Sequence, residues 1–497
     1  MKNRYILLIS LLVFCVFAQF ATAQDKRTLE TKTVDLLMQM PTRNLELRNK
    51  LMEEFIGLGD QGFQIVANQI TPSGEGDHSA AVFLLNGLTR YASQNGMEDK
   101  REFAERNFIT ALNAAKSVEV KSFFMRQLKL VGKENAVKAV EPYLTDENLV
   151  DPAAAVLFSV KGQSAKTELK NALAKANSKA SISIIKALGD LQVTEANAEI
   201  LKKANTSDKN LKKVSLAALA EIAAPESYQF LLAEAKNSAF KYEATDATMQ
   251  FLTYASRLGE TGNLSLCKKA CDEIMKSCTT PELLHNNAAA LSIYSKYFSK
   301  AIGSLLLKNF ENTDKAYRVA VLNLAEQNKD AASTKTWMAK AKKSKPEQKA
   351  EIITMLGKKG DLTAESYIRS EMKNSSSEVS EAAIAALIKM KGKDSLPELA
   401  SLLKSGSDAQ FIEKTLLSVI DEKNLDILVN QLDNAPTEAK VAIIDIAGAK
   451  AGKRFFNQIY KYTGDPNAAI KSASYAAMEN VASASDIDQL IKLLYST

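Results

Sequence analysis

The chain has 497 residues, 46% hydrophobic and 25% charged, with a formal net charge of +6. That composition supports a large buried core and excludes a disordered or collagen-like chain, while 20 glycines and 10 prolines are too few turn-formers for a barrel or sandwich of many short strands. Two histidines, His78 and His285, and one tryptophan, Trp337, leave little from which to build histidine-dependent chemistry or a tryptophan-lined sugar cleft.

Residues 1–23 have the layout of an export signal. Lys2 and Arg4 form a positive start, Ile6 to Phe17 an apolar run, and Ala21-Thr22-Ala23 a small-x-small cleavage site, so the mature chain is expected to begin at Gln24. Phe14 before Cys15 argues against a lipoprotein signal, which needs a small residue there. Cleavage removes two positive charges and no negative ones, so the net charge falls from +6 to +4 (6 − 2). With no clustering of Lys and Arg on one face, nucleic acid is not an expected partner. No later stretch reaches the 18 or so consecutive apolar residues of a bilayer crossing, so no transmembrane span is expected in the mature chain.

Residues 24–117 read as a helical N-terminal cap region, interrupted by a polar turn, Thr71-Pro72-Ser73-Gly74-Glu75-Gly76-Asp77. Within it Gly57-Leu58-Gly59-Asp60-Gln61-Gly62 matches GxGxxG. It follows a charged amphipathic helix rather than a strand, and therefore reads as an inter-helix turn.

From 118 to 240 one phrase recurs: an apolar-periodic helix, a short turn, a second apolar helix. It reads VEVKSFFMRQLKLVGKENAVKAVEPYL, AAAVLFSVKGQSAKTELKNAL, SISIIKALGDLQVTEANAEILKKA and VSLAALAEIAAPESYQFLLAEA, with Gly132, Gly162 and Gln192 at equivalent, evenly spaced turns. Leu211, Val214, Ala218 and Ile222 fall on one helical face, and Tyr228, Leu231 and Leu232 begin the face of its partner. Prolines in Asp151-Pro152, Thr280-Pro281, Ala435-Pro436 and Asp465-Pro466 are expected at first helical positions, with Asp or Thr as caps.

Residues 241–345 carry longer helices with a broader period. Cys267, Cys271 and Cys278, at i, i+4 and i+11, lie on one helical face; three thiolates strung along one helix do not converge on a metal ion, and they read as small buried hydrophobes. His285 lies near them without a third partner for a metal or a triad, and His78 sits in the polar turn region. Lys335, Lys340, Lys342, Lys343, Lys345 and Lys349 surround Trp337 as solvated helix ends, and Tyr294, Tyr297 and Phe298 form a packing stripe.

The phrase returns over 346–497 as AEIITMLGKKGDLTAESYIRSEM and AAIAALIKMKGKDSLPELASLL, with Gly360 and Gly392 at its equivalent turns, and in looser copies to the end. Gly448 to Arg454 is a near miss for a phosphate loop: it has one residue too few between its glycines and an arginine where a hydroxyl must bind Mg²⁺. The last helix contains Leu490, Ile491, Leu493, Leu494 and Tyr495. Burying one leucine is worth about 1.5–3 kcal/mol, so Leu490 and Leu494 are expected to contact a partner.

A period near 30 means that each two-helix unit cannot bury its own apolar face and must stack on its neighbours. The phrases, with their small-residue helix ends ALGDL and MLGKKG, resemble HEAT repeats of the short bacterial exported variety. The resemblance implies an all-α fold, a right-handed α-solenoid of stacked helical hairpins whose inner helices present a concave binding surface. The expectation is an exported, periplasmic or secreted, non-enzymatic scaffold for a protein partner, without cofactor, metal or catalytic residue. Similar arrays precede glycoside- or keto-disaccharide-hydrolase-type domains, so the resemblance also implies an alternative: a helper module in glycan processing, with a carbohydrate-processing enzyme as partner.

Overall fold

The computed structural model describes residues 27–329, 332–404 and 409–496. The export signal and its cleavage site lie outside the described residues. Every regular element among the described residues is an α-helix or a 3₁₀ turn, and none of those helices is long and apolar enough to cross a membrane.

The helices form where the apolar periodicity places them. Leu211, Ala218 and Ile222 are buried along Lys209–Ile222, with Val214 half-buried at the edge, and Tyr228, Leu231 and Leu232 are buried in Tyr228–Asn237. Short polar side chains cap several starts: Ser117, Asn177, Asp208, Asp314 and Asn467 each accept a hydrogen bond from a first-turn backbone N–H, which satisfies an otherwise orphan donor. Pro281 takes a first helical position behind Thr280, as expected, and the other three prolines sit elsewhere around their helix starts. Pro152 lies inside the first turn of Val150–Val160, Pro281 opens a 3₁₀ turn ahead of Leu284–Tyr297, and Pro436 is itself the N-cap residue of Thr437–Ala449. After Pro466 the cap is Asn467, while Asp465 Oδ1 accepts the Asn467 N–H at 2.8 Å. Proline only needs to stay where no intrahelical N–H is missed, and all four positions around a helix start meet that condition.

The chain divides into two compact units, one ending at Ala270 and the other beginning at Cys271. In each, the first helix of a hairpin packs on the first helix of the next, and the second helices pack against this row. In the first unit the row runs Val118–Val131, Val150–Val160, Ser178–Asp190, Lys209–Ile222 and Ala247–Glu260. In the second it runs Leu284–Tyr297, Lys315–Gln327, Pro346–Lys359, Ser377–Lys391, Ala409–Val419, Thr437–Ala449 and Ala468–Val481.

Two devices repeat along the stack. A Lys–Glu pair ties the first helix of a hairpin to the second in both units, Lys212 to Glu234 at 3.2 Å and Lys349 to Glu371 at 3.4 Å. A helical glycine meets an alanine of the next first helix: Gly189 with Ala218, Gly357 with Ala386, Gly448 with Ala477. A side chain at any of the three glycines would crowd the neighbouring backbone, so the small residue sets how closely successive repeats approach.

The turns follow the glycine placement in the second unit, where Gly360 and Gly392 take φ of 70° and 56°, and depart from it in the first. Gly132 has an extended φ of −61° and Gly162 one of −67°; the left-handed residues are Lys161, Gln192 and Ala223, with φ of 60°, 53° and 55°. The reversal is thus set by position in the repeat and is held even where a Cβ makes it costly.

Candidate functional site

The motifs with possible chemistry resolve into structure. Gly57 ends Leu45–Gly57 and Gly59 begins Gly59–Ala67, so the GxGxxG match is a helix–helix turn. Gly448 to Arg454 runs from the end of Thr437–Ala449 through a short turn into a 3₁₀ turn, in which Arg454 donates to the carbonyls of Glu422 and Lys423 and to Asp426 Oδ2 at 2.5 Å. Cys267, Cys271 and Cys278 are buried, and burial pushes the Cys278 thiol up to about 11, far from a reactive thiolate. The buried Asn287 donates to the Met275 and Cys278 carbonyls at 2.9 and 3.0 Å and accepts from the Tyr317 hydroxyl at 2.7 Å. Among the described residues no group of three or more His, Cys, Asp or Glu side chains is arranged to hold a metal ion.

His285 is exposed, and His78 Nδ1 lies 3.0 Å from the Thr71 hydroxyl in the long turn. Trp337 is buried edge-on against Phe310, with ring centroids 5.4 Å apart, so it offers no platform to a sugar. The lysines around it are divided among partners: Lys340 pairs with Glu311, Lys349 with Glu371, and Lys342 lies over the Tyr367 ring.

The site the structure does build is a groove in the second unit, about 410 Å³, running across the exposed edges of Lys315–Gln327, Pro346–Lys359 and Ser377–Lys391 to the start of Ala409–Val419. Its floor is apolar, made by Val319, Leu322, Ala350, Met355, Ala382 and Phe411. Val319 is 44% exposed, which leaves this floor open to a partner. Charged side chains of both signs also line it, among them Glu326, Glu378 and Glu381 with Lys315 and Lys358.

Beneath the groove, Arg318 fixes two helices. Its guanidinium donates to both Glu351 carboxylate oxygens at 2.8 and 2.7 Å, to Glu347 at 3.0 Å, and to the Asn312 and Thr313 carbonyls. Glu347 and Glu351 are thereby neutralised, whereas Glu378 and Glu381 have no ion pair or hydrogen-bonding partner among the described residues.

The same face continues onto the next helices. Asp445 stands three residues before Gly448, as the groove residue Thr354 stands three before Gly357. Asp445 is half-buried and faces the half-buried Glu413 of Ala409–Val419; burial raises both carboxyls above the usual range, and the Asp445 charge raises Glu413 further. A carboxyl whose folded pKa is raised stabilises the fold below the ordinary carboxylate range, and that contribution is lost as pH rises through the raised value. Asp445→Asn should therefore raise the thermal midpoint by about 1–3 °C at pH 7 and leave it nearly unchanged at pH 3. Differential scanning calorimetry at the two pH values checks this, and an equal gain at both would place the cause outside the charge.

Leu490 and Leu494 separate on the terminal helix Ile487–Ser496. Leu490 is half-buried, while Leu494 is 74% exposed on the same helix as the exposed Ile487, Ile491 and Tyr495.

Residues 334–418 match the family model for HEAT repeats. Among solved structures, Kap121p bound to Ste12p is 11% identical, with 91% of this chain and 56% of that chain covered and a TM-score of 0.50. The Kap95:Nup1 complex is 12% identical over 92% of this chain and 72% of that one, TM-score 0.42, and human deoxyhypusine hydroxylase in complex with glycerol is 14% identical over 52% and 96%, TM-score 0.23. The chain spans a little over half the length of the Kap121p chain it resembles. No curated protein matches it. Residues 334–418 thus match HEAT repeats, and the other stacked hairpins of the described chain have the same build. Its fold is an all-α solenoid.

Proposed function

We propose that the protein is an exported scaffold, periplasmic or secreted, that binds another protein along the inner helices of its second unit. The observation that carries this reading is the groove itself: an open apolar floor with charged walls, on the face of the repeat that the second helices do not cover. Contiguous exposed apolar surface rimmed by polar residues marks interaction sites on soluble proteins. Export rests on the sequence of residues 1–23. The terminal helix offers a second contact area through Leu494, with the half-buried Leu490 one turn before it.

Site-directed photocrosslinking in cells tests the reading. A benzoylphenylalanine at Val319, Ala385 or Leu494 should give discrete protein adducts, and one at the exposed Lys343, outside the groove, should not. Adducts at Leu494 alone would move the binding face to the terminal helix. The absence of adducts at all three positions would remove the scaffold reading. A carbohydrate-processing enzyme in the adducts would select the glycan-processing role over a purely structural one.

A further inference from the structure

The helix Ile487–Ser496 carries an apolar face that the described chain leaves open. Ile487, Ile491, Leu494 and Tyr495 are all exposed, and no other helix among the described residues exposes more than two large apolar side chains. At 3.6 residues per turn the four fall within about a third of the helix circumference. To one side of them lie the half-buried Leu490 and Leu493, and the Tyr460 hydroxyl donates to the Gln489 carbonyl at 3.1 Å, which ties the helix to Phe456–Tyr460. The other side is charged. Asp488 and Lys492, both exposed and one turn apart, form the flank next to Tyr495.

We infer that this face receives a second copy of the chain, the two helices Ile487–Ser496 lying antiparallel about a two-fold axis. Charge selects this occupant. A two-fold axis perpendicular to both helices and to the line between them keeps the two charged flanks on the same side of the contact and reverses one against the other. Asp488 of each copy then meets Lys492 of the other, so the face is complementary to itself. A parallel pair turns the charged flanks to opposite sides and forms neither contact. With the axis near Ile491, that side chain packs on its own copy, and Ile487 lies against Leu494 and Tyr495 of the other chain. One such helix per copy is smaller than the ~800 Å² per partner of a standard stable interface, so the dimer should dissociate at about 1–100 μM. The contact uses none of the groove's residues and holds or fails independently of the scaffold reading.

Sedimentation velocity of the whole mature chain, from about 1 to 200 μM to bracket that range, should show a monomer giving way to a dimer as concentration rises. Leu494→Glu should weaken the dimer by about tenfold or more. Asp488→Lys and Lys492→Asp should each weaken self-association about five- to tenfold, since each sets two like-charged contacts in the dimer. Mixed in equal amounts, these two chains should pair with each other at close to wild-type strength. A merely weakened helix cannot give that rescue, because a lysine at the first turn opposes the helix dipole in the mixture as well. A monomer at every concentration would overturn the inference. So would a dimer indifferent to Leu494→Glu and to the charge variants, or a mixture that pairs no better than its components. In cells, a benzoylphenylalanine at Leu494 should link two copies of the chain. An adduct there to a different protein, with the purified chain monomeric, would assign the face to that protein instead. Missing adducts at Val319 and Ala385 would count against the groove alone.

Discussion

Glu351→Ala should lower the stability of the second unit by about 3–5 kcal/mol, the cost of leaving a buried charge without its partner. Arg318 is 5% exposed and Glu351 9%, so water cannot replace the missing carboxylate. What remains around the guanidinium is Glu347, itself 52% exposed, and the carbonyls of Asn312 and Thr313. At about 2–4 °C per kcal/mol for a unit of this size, the thermal midpoint should fall by roughly 10 °C. Glu351→Gln keeps an acceptor and loses the charge, so it should fall between wild type and the alanine variant. The double replacement Arg318→Met with Glu351→Leu removes both charges and should recover most of the loss, since an apolar pair of similar volume often matches a buried ion pair. Lys393 and Asp421 form an exposed pair on the same unit and set the baseline: Lys393→Ala should cost under about 1 kcal/mol. If Glu351→Ala costs no more than Lys393→Ala in chemical unfolding, Arg318 does not depend on Glu351.

The repeat period and its helical periodicity are enough to read the all-α stacked hairpins, because burial of one face per helix leaves a regular apolar spacing. The phrases ALGDL and MLGKKG are legible as small-residue helix ends. Their purpose is not, since only the stacked arrangement shows Gly189 and Gly357 meeting alanines of the next repeat. The groove is hidden for a similar reason. Glu378 and Glu381 look like the ordinary acidic start of any helix, where they favour the helix dipole, and nothing local marks them as part of a groove. The one available signal is the period itself: Glu413 and Asp445 are separated by close to one repeat, and positions one repeat apart become neighbours in the stack. On the terminal helix the helical spacing identifies an apolar stripe but not its rotation, which leaves Leu490 half-buried and Leu494 exposed. Of the non-glycine turn residues with left-handed φ, Gln192 is legible from the repeat spacing, whereas Lys161 and Ala223 are not, because neither is the glycine that such a backbone favours.

The glycine–alanine contacts give a graded expectation. A Cβ at Gly357 would stand 2.5 Å from both Cα and Cβ of Ala386, one at Gly189 2.7 Å from Cα and Cβ of Ala218, and one at Gly448 3.0 Å from Cβ of Ala477. All three glycines are helical, where alanine is intrinsically better by about 0.5–1 kcal/mol. Overpacking a tight contact costs about 1–3 kcal/mol. At Gly357 and Gly189 the obstructing atoms include backbone, so the repeats themselves must move apart and the cost should exceed the gain. At Gly448 a shift of a few tenths of an ångström suffices, and the two terms should nearly cancel. The expected order of destabilisation is Gly357→Ala, then Gly189→Ala, with Gly448→Ala close to wild type, measured as shifts in the thermal midpoint of the unit concerned. Ala386→Gly should rescue Gly357→Ala only in part, because the Ala386 Cα is as close as its Cβ. Such a result would mean that the stacking distance is set by backbone against backbone. A Gly357→Ala variant as stable as wild type, or the reverse order across the three sites, would show instead that successive repeats slide apart at little cost and that these glycines do not set the pitch of the stack.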